Sequence, residues 1–162
     1  MANKATFTSD EWKRLLEGVM MAGIAVTAAE PSGLWGTLKE SLSSAQALAA
    51  GKTGSSELVK ALVADLETSE GLGIAREGLK EQLKGHKVAE IRNKSVDALR
   101  QVAALLETKA PQDASAVKTW LLGISQSAAE ASKEGGFLGF GGVQVSDAEK
   151  ATLTDIKSAL KV

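Results

Sequence analysis

FTSDEWKRLLEGVMMAGIAVTAAEP, residues 7–31, opens on a helix start signal and closes on a helix stop. Thr8 stands three positions before Glu11, the spacing at which a threonine hydroxyl accepts from the glutamate's backbone N–H while the carboxylate reaches back to the threonine N–H. Phe7 and Trp12 occupy the two positions of a hydrophobic staple across that cap, so the spacing predicts a helix from about Ser9. Trp12, Leu16, Val19, Gly23 and Val26, widened by Leu15 and Met20, return at helical spacing. Pro31 ends the run, because its ring disfavours helical backbone at the residue before it. The small residues Gly18, Ala22, Gly23, Ala25, Ala28 and Ala29 predict a second helix packed closely beside the C-terminal half.

The rest of the chain repeats this grammar. Ser32 caps a helix with the stripe Trp35, Leu38, Leu42 and Ala45, ended at Gly51. Residues 52–55 are a turn, and Ser55 is read as the cap of a helix from about Ser56 to Thr68 on Leu58, Leu62, Val63 and Leu66. Residues 69–85 stay open between one helix, two turns and a lid: Ile74, Leu79 and Leu83 suit a helix, while Gly71, Gly73 and Gly78 weaken it. Gly85 reads as the end of that segment. A stronger helix is predicted from about His86 to Thr108, with Val88, Ile91, Leu99, Val102 and Leu106 inward, and Pro111 marks its boundary. Asp113 is read as the next cap, before a stripe of Val117, Trp120 or Leu121, Ile124 and Ala128. Ser146 with Glu149 repeats the Thr8–Glu11 spacing and predicts a final helix from Asp147 to Leu160.

These signals together predict an all-α protein: a single helical domain over residues 1–162, built as an irregular up-and-down bundle of about five or six helices. A glycine-rich apolar loop precedes the last of them. Its sequence, Phe137-Leu-Gly-Phe-Gly-Gly-Val, places bulky apolar groups among glycines that cannot hold a stable helix.

Composition excludes several chemistries. There is no cysteine, which removes disulfides, thiol nucleophiles and thiolate metal sites. Nineteen Lys and Arg against twenty Asp and Glu leave a net charge of −1, so the chain as a whole has no attraction for a polyanion. Residues 76–100 hold a local basic excess, yet the aromatics that nucleic-acid recognition interleaves with such a stripe are missing there, and no nucleic-acid partner is expected. No apolar signal core follows Met1, and no stretch is long and apolar enough to span a membrane, so a cytoplasmic protein without a transmembrane segment is expected.

Candidate sites are few. His86 is the single histidine, with no nucleophile motif beside it, and it reads as a solvent-facing residue near a helix start. A dinuclear metal site in a bundle asks for paired Glu-x-x-His motifs, and residue 83, three before His86, is leucine. No metal and no cofactor are therefore expected. Glu30 continues the series of apolar positions in the first helix and is read as reaching water at a frayed end beside Pro31. The glycines of residues 135–142 lack a phosphate-loop spacing and a preceding strand.

Phe137, Leu138, Phe140 and Val143 remain as candidate interaction residues, either plugging the open end of the bundle or docking on a partner. Trp12, Trp35 and Trp120, each on or beside an apolar stripe, are candidates for a pocket between helices. The functional expectation is a noncatalytic protein that acts through contacts with itself, as a homo-oligomer, or with a protein partner. The alternative is a small apolar or amphipathic ligand held between helices.

Overall fold

The structure is a computed structural model, and it describes residues 1–29, 50–134 and 145–162. The described residues form an all-α, irregular helical bundle without strands. After a 3-10 turn at Lys4–Thr6 come α1 (Ser9–Thr27), α2 (Glu57–Leu66), α3 (Ser69–Leu83), α4 (Val88–Lys109), α5 (Pro111–Glu134) and α6 (Asp147–Leu160); residues 50–53 are helical as well. The helix expected after Pro31, with Trp35 on its stripe, and the glycine-rich loop at residues 135–144 lie outside the described residues.

The two capping boxes form as the sequence reads. Thr8 N–H donates to Glu11 Oε2 at 2.8 Å, and Glu11 N–H to Thr8 Oγ1 at 3.2 Å. Ser146 and Glu149 make the same exchange at 2.9 and 3.2 Å. Phe7 and Trp12 are both buried, with ring centroids 5.9 Å apart, as a staple requires.

The first helix is more than an amphipathic face. From Leu15 to Val26 every residue except Gly23 is buried, which is the mark of a helix enclosed on all sides. α1 is the axis of the bundle, and α2, α3, α4, α5 and α6 all pack on it. The small residues let them approach. A methyl group at Gly18 would come within 2.7 Å of Val102 Cγ2 on α4. On another side Ser125 Oγ of α5 donates to the Ala22 carbonyl at 2.7 Å. The outer helices also tie to one another: Arg92 Nε of α4 donates to Thr152 Oγ1 of α6 at 2.7 Å, and its Nη2 lies 2.5 Å from Asp155 Oδ2. Among the described residues no buried side-chain nitrogen or oxygen lacks a hydrogen-bond partner.

Three boundary readings are corrected, and one segment left open is resolved. Ser56, not Ser55, caps α2, accepting from the Val59 N–H, and its hydroxyl is held in place by donating to Asp113 Oδ1 at 3.3 Å. Asp113 does not cap α5, which already begins at Pro111. Its other carboxylate oxygen accepts the Ala2 N–H at 2.8 Å, so it ties the N-terminal segment, α2 and α5 together. The fourth helix of the sequence reading starts at Val88 rather than His86, because Gly85 at φ +78 reverses the chain and Glu90 reaches back to the Lys87 N–H at 2.8 Å. Residues 69–83 are one helix, capped by Thr68, whose hydroxyl accepts from the Gly71 N–H at 2.9 Å.

Candidate functional site

Of the residues singled out in the sequence, Phe137, Leu138, Phe140, Val143, Trp35 and Glu30 fall outside the described residues. Trp12 is buried, and its indole N–H donates to Asp65 Oδ2 at 2.6 Å, with the Lys4 ammonium on the same oxygen at 2.9 Å. Trp120 is half-buried beside Gly51, where a methyl group would come within 2.9 Å of its Nε1. His86 is partly exposed, with Nδ1 3.3 Å from Glu90 Oε2. Among the described residues no group of three or more His, Asp and Glu side chains is placed to hold a metal ion. No described helix is long and apolar enough to cross a membrane.

The site that the geometry does mark was not singled out in the sequence. Glu17 sits in the apolar run of α1 between Leu16 and Gly18 and is 5% exposed. Its carboxyl meets α3. Gln82 Nε2 donates to Oε2 at 2.5 Å, and Lys13 Nζ, one turn back on α1, lies 3.9 Å from Oε1. Lys13 also reaches Glu81 Oε2 of α3 at 3.5 Å. The carboxyl has room only because residue 78 is glycine: a methyl group there would overlap Oε1 and come within 2.6 Å of Cδ.

Burial pushes the Glu17 carboxyl above the ordinary glutamate range. The positive charge of Lys13, the Gln82 hydrogen bond and Arg14 oppose the shift without cancelling it, and Glu81 adds to it. Around this group α1, α3 and α4 leave a cleft of about 290 Å³, lined among others by Lys13, Arg14, Glu17, Glu81, Gln82 and Gln101. Cations, anions and amides alternate on its walls, so it suits a polar group that both donates and accepts hydrogen bonds.

A second depression, of about 330 Å³, lies where the end of α4 meets α5 and residues 161–162. Glu107 there accepts from Lys161 at 2.8 Å and from Lys118 at 3.1 Å, and these two hydrogen bonds, Lys161 first, lower its pKa. Its charges are thus engaged in holding α4, α5 and the chain after α6 together.

No family model, no curated protein and no solved structure matches this chain.

Proposed function

We propose that this chain is a noncatalytic helical protein that works through contacts with a second copy of itself or with another protein, and that Phe137, Leu138, Phe140 and Val143 supply the apolar contact groups. One observation carries this reading. The described helices use up their apolar side chains in the core, and the exposed large hydrophobics among the described residues are Met1, Ile74 and Val162, scattered singly along the chain. Apolar recognition therefore has to come from elsewhere in the chain, and residues 137–143 place four bulky apolar groups in seven positions. The cytoplasm is the compartment this reading assigns.

Replacing Phe137 and Phe140 together by serine tests it. Sedimentation across a concentration series, with capture of partners from the host's own extract, is expected to show association for the parent chain and its loss in the double variant. The melting temperature should stay within about 2 °C of the parent's, the change that a near-neutral surface substitution produces. Unchanged association would reject the contact role. A fall of many degrees would mean that the two rings plug the bundle instead.

The cleft at Glu17 favours a second reading, a small ligand held between helices. Its charged and amide walls select a polar or amphipathic molecule over a wholly apolar one. Native mass spectrometry of the protein taken from its own host is expected to show a retained small molecule under this reading, and a bare chain would count against it.

A further inference from the structure

α3 differs from its neighbours in what holds it. Three of its fifteen residues, Gly71, Gly73 and Gly78, are glycine, each about fivefold poorer than alanine in helix propagation. Its buried residues are Gly71, Ala75, Gly78 and Leu79, and Leu83 packs partly buried against the core, so few large side chains anchor it. An isolated segment of this length is marginal as a helix even with good helix formers. α3 is helical because it is docked.

Beside the apolar contacts of Ala75, Leu79 and Leu83, a polar contact runs through Glu17. The carboxyl fills the notch over Gly78, Gln82 holds its other oxygen, and Lys13 pairs with Glu81 alongside. Both ends of α3 are joints. Thr68 lies directly after Glu67, where α2 ends, and beyond Lys84 the chain turns at Gly85 with φ +78. α2 packs on α3 beside the joint, where a methyl group at Gly71 would overlap the Asp65 carbonyl, and it packs on α5 and α1 as well. The rest of the bundle does not run through α3: α1 meets α4 at Gly18 and Val102, and α5 through the Ser125 hydroxyl.

We propose that α3 is a latch that opens from α1 as a unit, pivoting at residues 67–68 and 84–86, with the Glu17 carboxyl in the notch at Gly78 as its catch. Opening returns that carboxyl to water and uncovers the α1 surface around Lys13 and Glu17. The charge on Glu17 then sets how often the latch opens. Facing it are Lys13 and Arg14 from α1, Glu81 and Gln82 from α3 and Gln101 from α4, with Asp10 at the mouth of the cleft. Burial and Glu81 outweigh the two cations, so the closed state binds a proton more tightly than the open one. The opening constant should therefore rise with pH across the closed-state titration range of Glu17, by no more than about tenfold per pH unit for one proton. Below the ordinary glutamate range, about 4.3, Glu17 contributes no pH dependence.

Hydrogen exchange of the full chain between pH 5 and 8, corrected for intrinsic rates, tests the latch. Amides of residues 72–83 are expected to exchange at least about tenfold faster than those of residues 15–26 and 95–106, as sub-global opening requires. Glu17→Gln keeps the shape and a partner for Gln82 but carries no charge; it should slow exchange in α3 alone, and the difference from the parent should shrink as pH falls. Gly78→Ala should speed α3 exchange in the parent by evicting the carboxyl. In a Glu17→Ala background the same change should slow it, since only the flexible Lys13 side chain, 2.7 Å from the added methyl, then has to shift and alanine is the better helix former. Equal corrected rates in α1, α3 and α4 would overturn the latch. Slower exchange on Gly78→Ala in both backgrounds would overturn the catch.

Discussion

Leu16→Ala should lower the free energy of unfolding by about 2–5 kcal/mol, the range for truncating a buried leucine, out of the 5–15 kcal/mol that roughly bounds the stability of such domains. Leu16 is 0% exposed on the helix against which the five other helices α2 to α6 of the described residues pack. The cost depends on whether neighbours can collapse into the space left behind. Here α4 is tied to α6 through Arg92 and α5 to α1 through Ser125, so none of α4, α5 and α6 can move in without straining those contacts. Urea denaturation is expected to show a lower midpoint with an unchanged slope. Ile74→Ala is the control: it lies on α3 at 38% exposure and should cost no more than about 0.5 kcal/mol. If the two losses are equal, α1 is not the axis of the bundle.

The parts of this fold legible in the sequence are those whose cause lies within four residues. A capping box needs only Thr8 and Glu11, or Ser146 and Glu149, and both closed as read. The turn at Gly85 likewise needs only a residue that accepts φ +78. Asp113 shows where such reading stops. Its position suits a cap, but its partners are Ala2, 111 positions away, and Ser56, 57 away, and they claim both carboxylate oxygens. The same contact selects Ser56 over its neighbour Ser55, a choice the two adjacent serines leave open. Residues 69–83 stay open in the sequence for the opposite reason. Their glycines argue against a helix locally, and docking on α1, which no local rule contains, overrides them.

Glu17 was hidden by its spacing. Four residues after Lys13, on a helix with an apolar face, it reads as half of a solvated i,i+4 ion pair. It becomes a buried group only when α1 is enclosed on every side, and enclosure is a property of the assembled bundle. A sequence signal did exist: among the twelve residues from Leu15 to Val26, Glu17 is the one charge and all the others are apolar or small. A charge inside so continuous a run of apolar and small residues asks for a partner, and the fold provides Gln82 on a glycine-notched face, with Lys13 one turn back.

Asp65→Ala should cost about 1–3 kcal/mol at neutral pH, because it strips the acceptor from the buried Trp12 N–H and leaves a desolvated donor unpaired. The exposed Lys4 ammonium on the same oxygen adds little of its own, since it returns to water. Asp65→Asn keeps an acceptor oxygen for the indole and should lose less. The pH dependence separates this carboxyl from Glu17. Burial works to raise the Asp65 pKa, but the hydrogen bonds from Trp12 and Lys4 outweigh it, and the net shift is downward. A carboxyl lowered on folding stabilises the folded chain above its unfolded pKa, about 3.9, and that contribution is lost as pH falls through the folded value. Glu17, raised on folding, does the reverse and adds stability as pH falls. Denaturation midpoints measured from pH 3 to 8 should therefore show the Asp65→Ala penalty shrinking at the acid end, while Glu17→Gln changes the profile above about pH 4.3, where the unfolded carboxylate ionises. A penalty for Asp65→Ala that stays constant to pH 3 would mean that the indole needs an acceptor there but not a charged one, and Asp65→Asn would then match the parent at every pH.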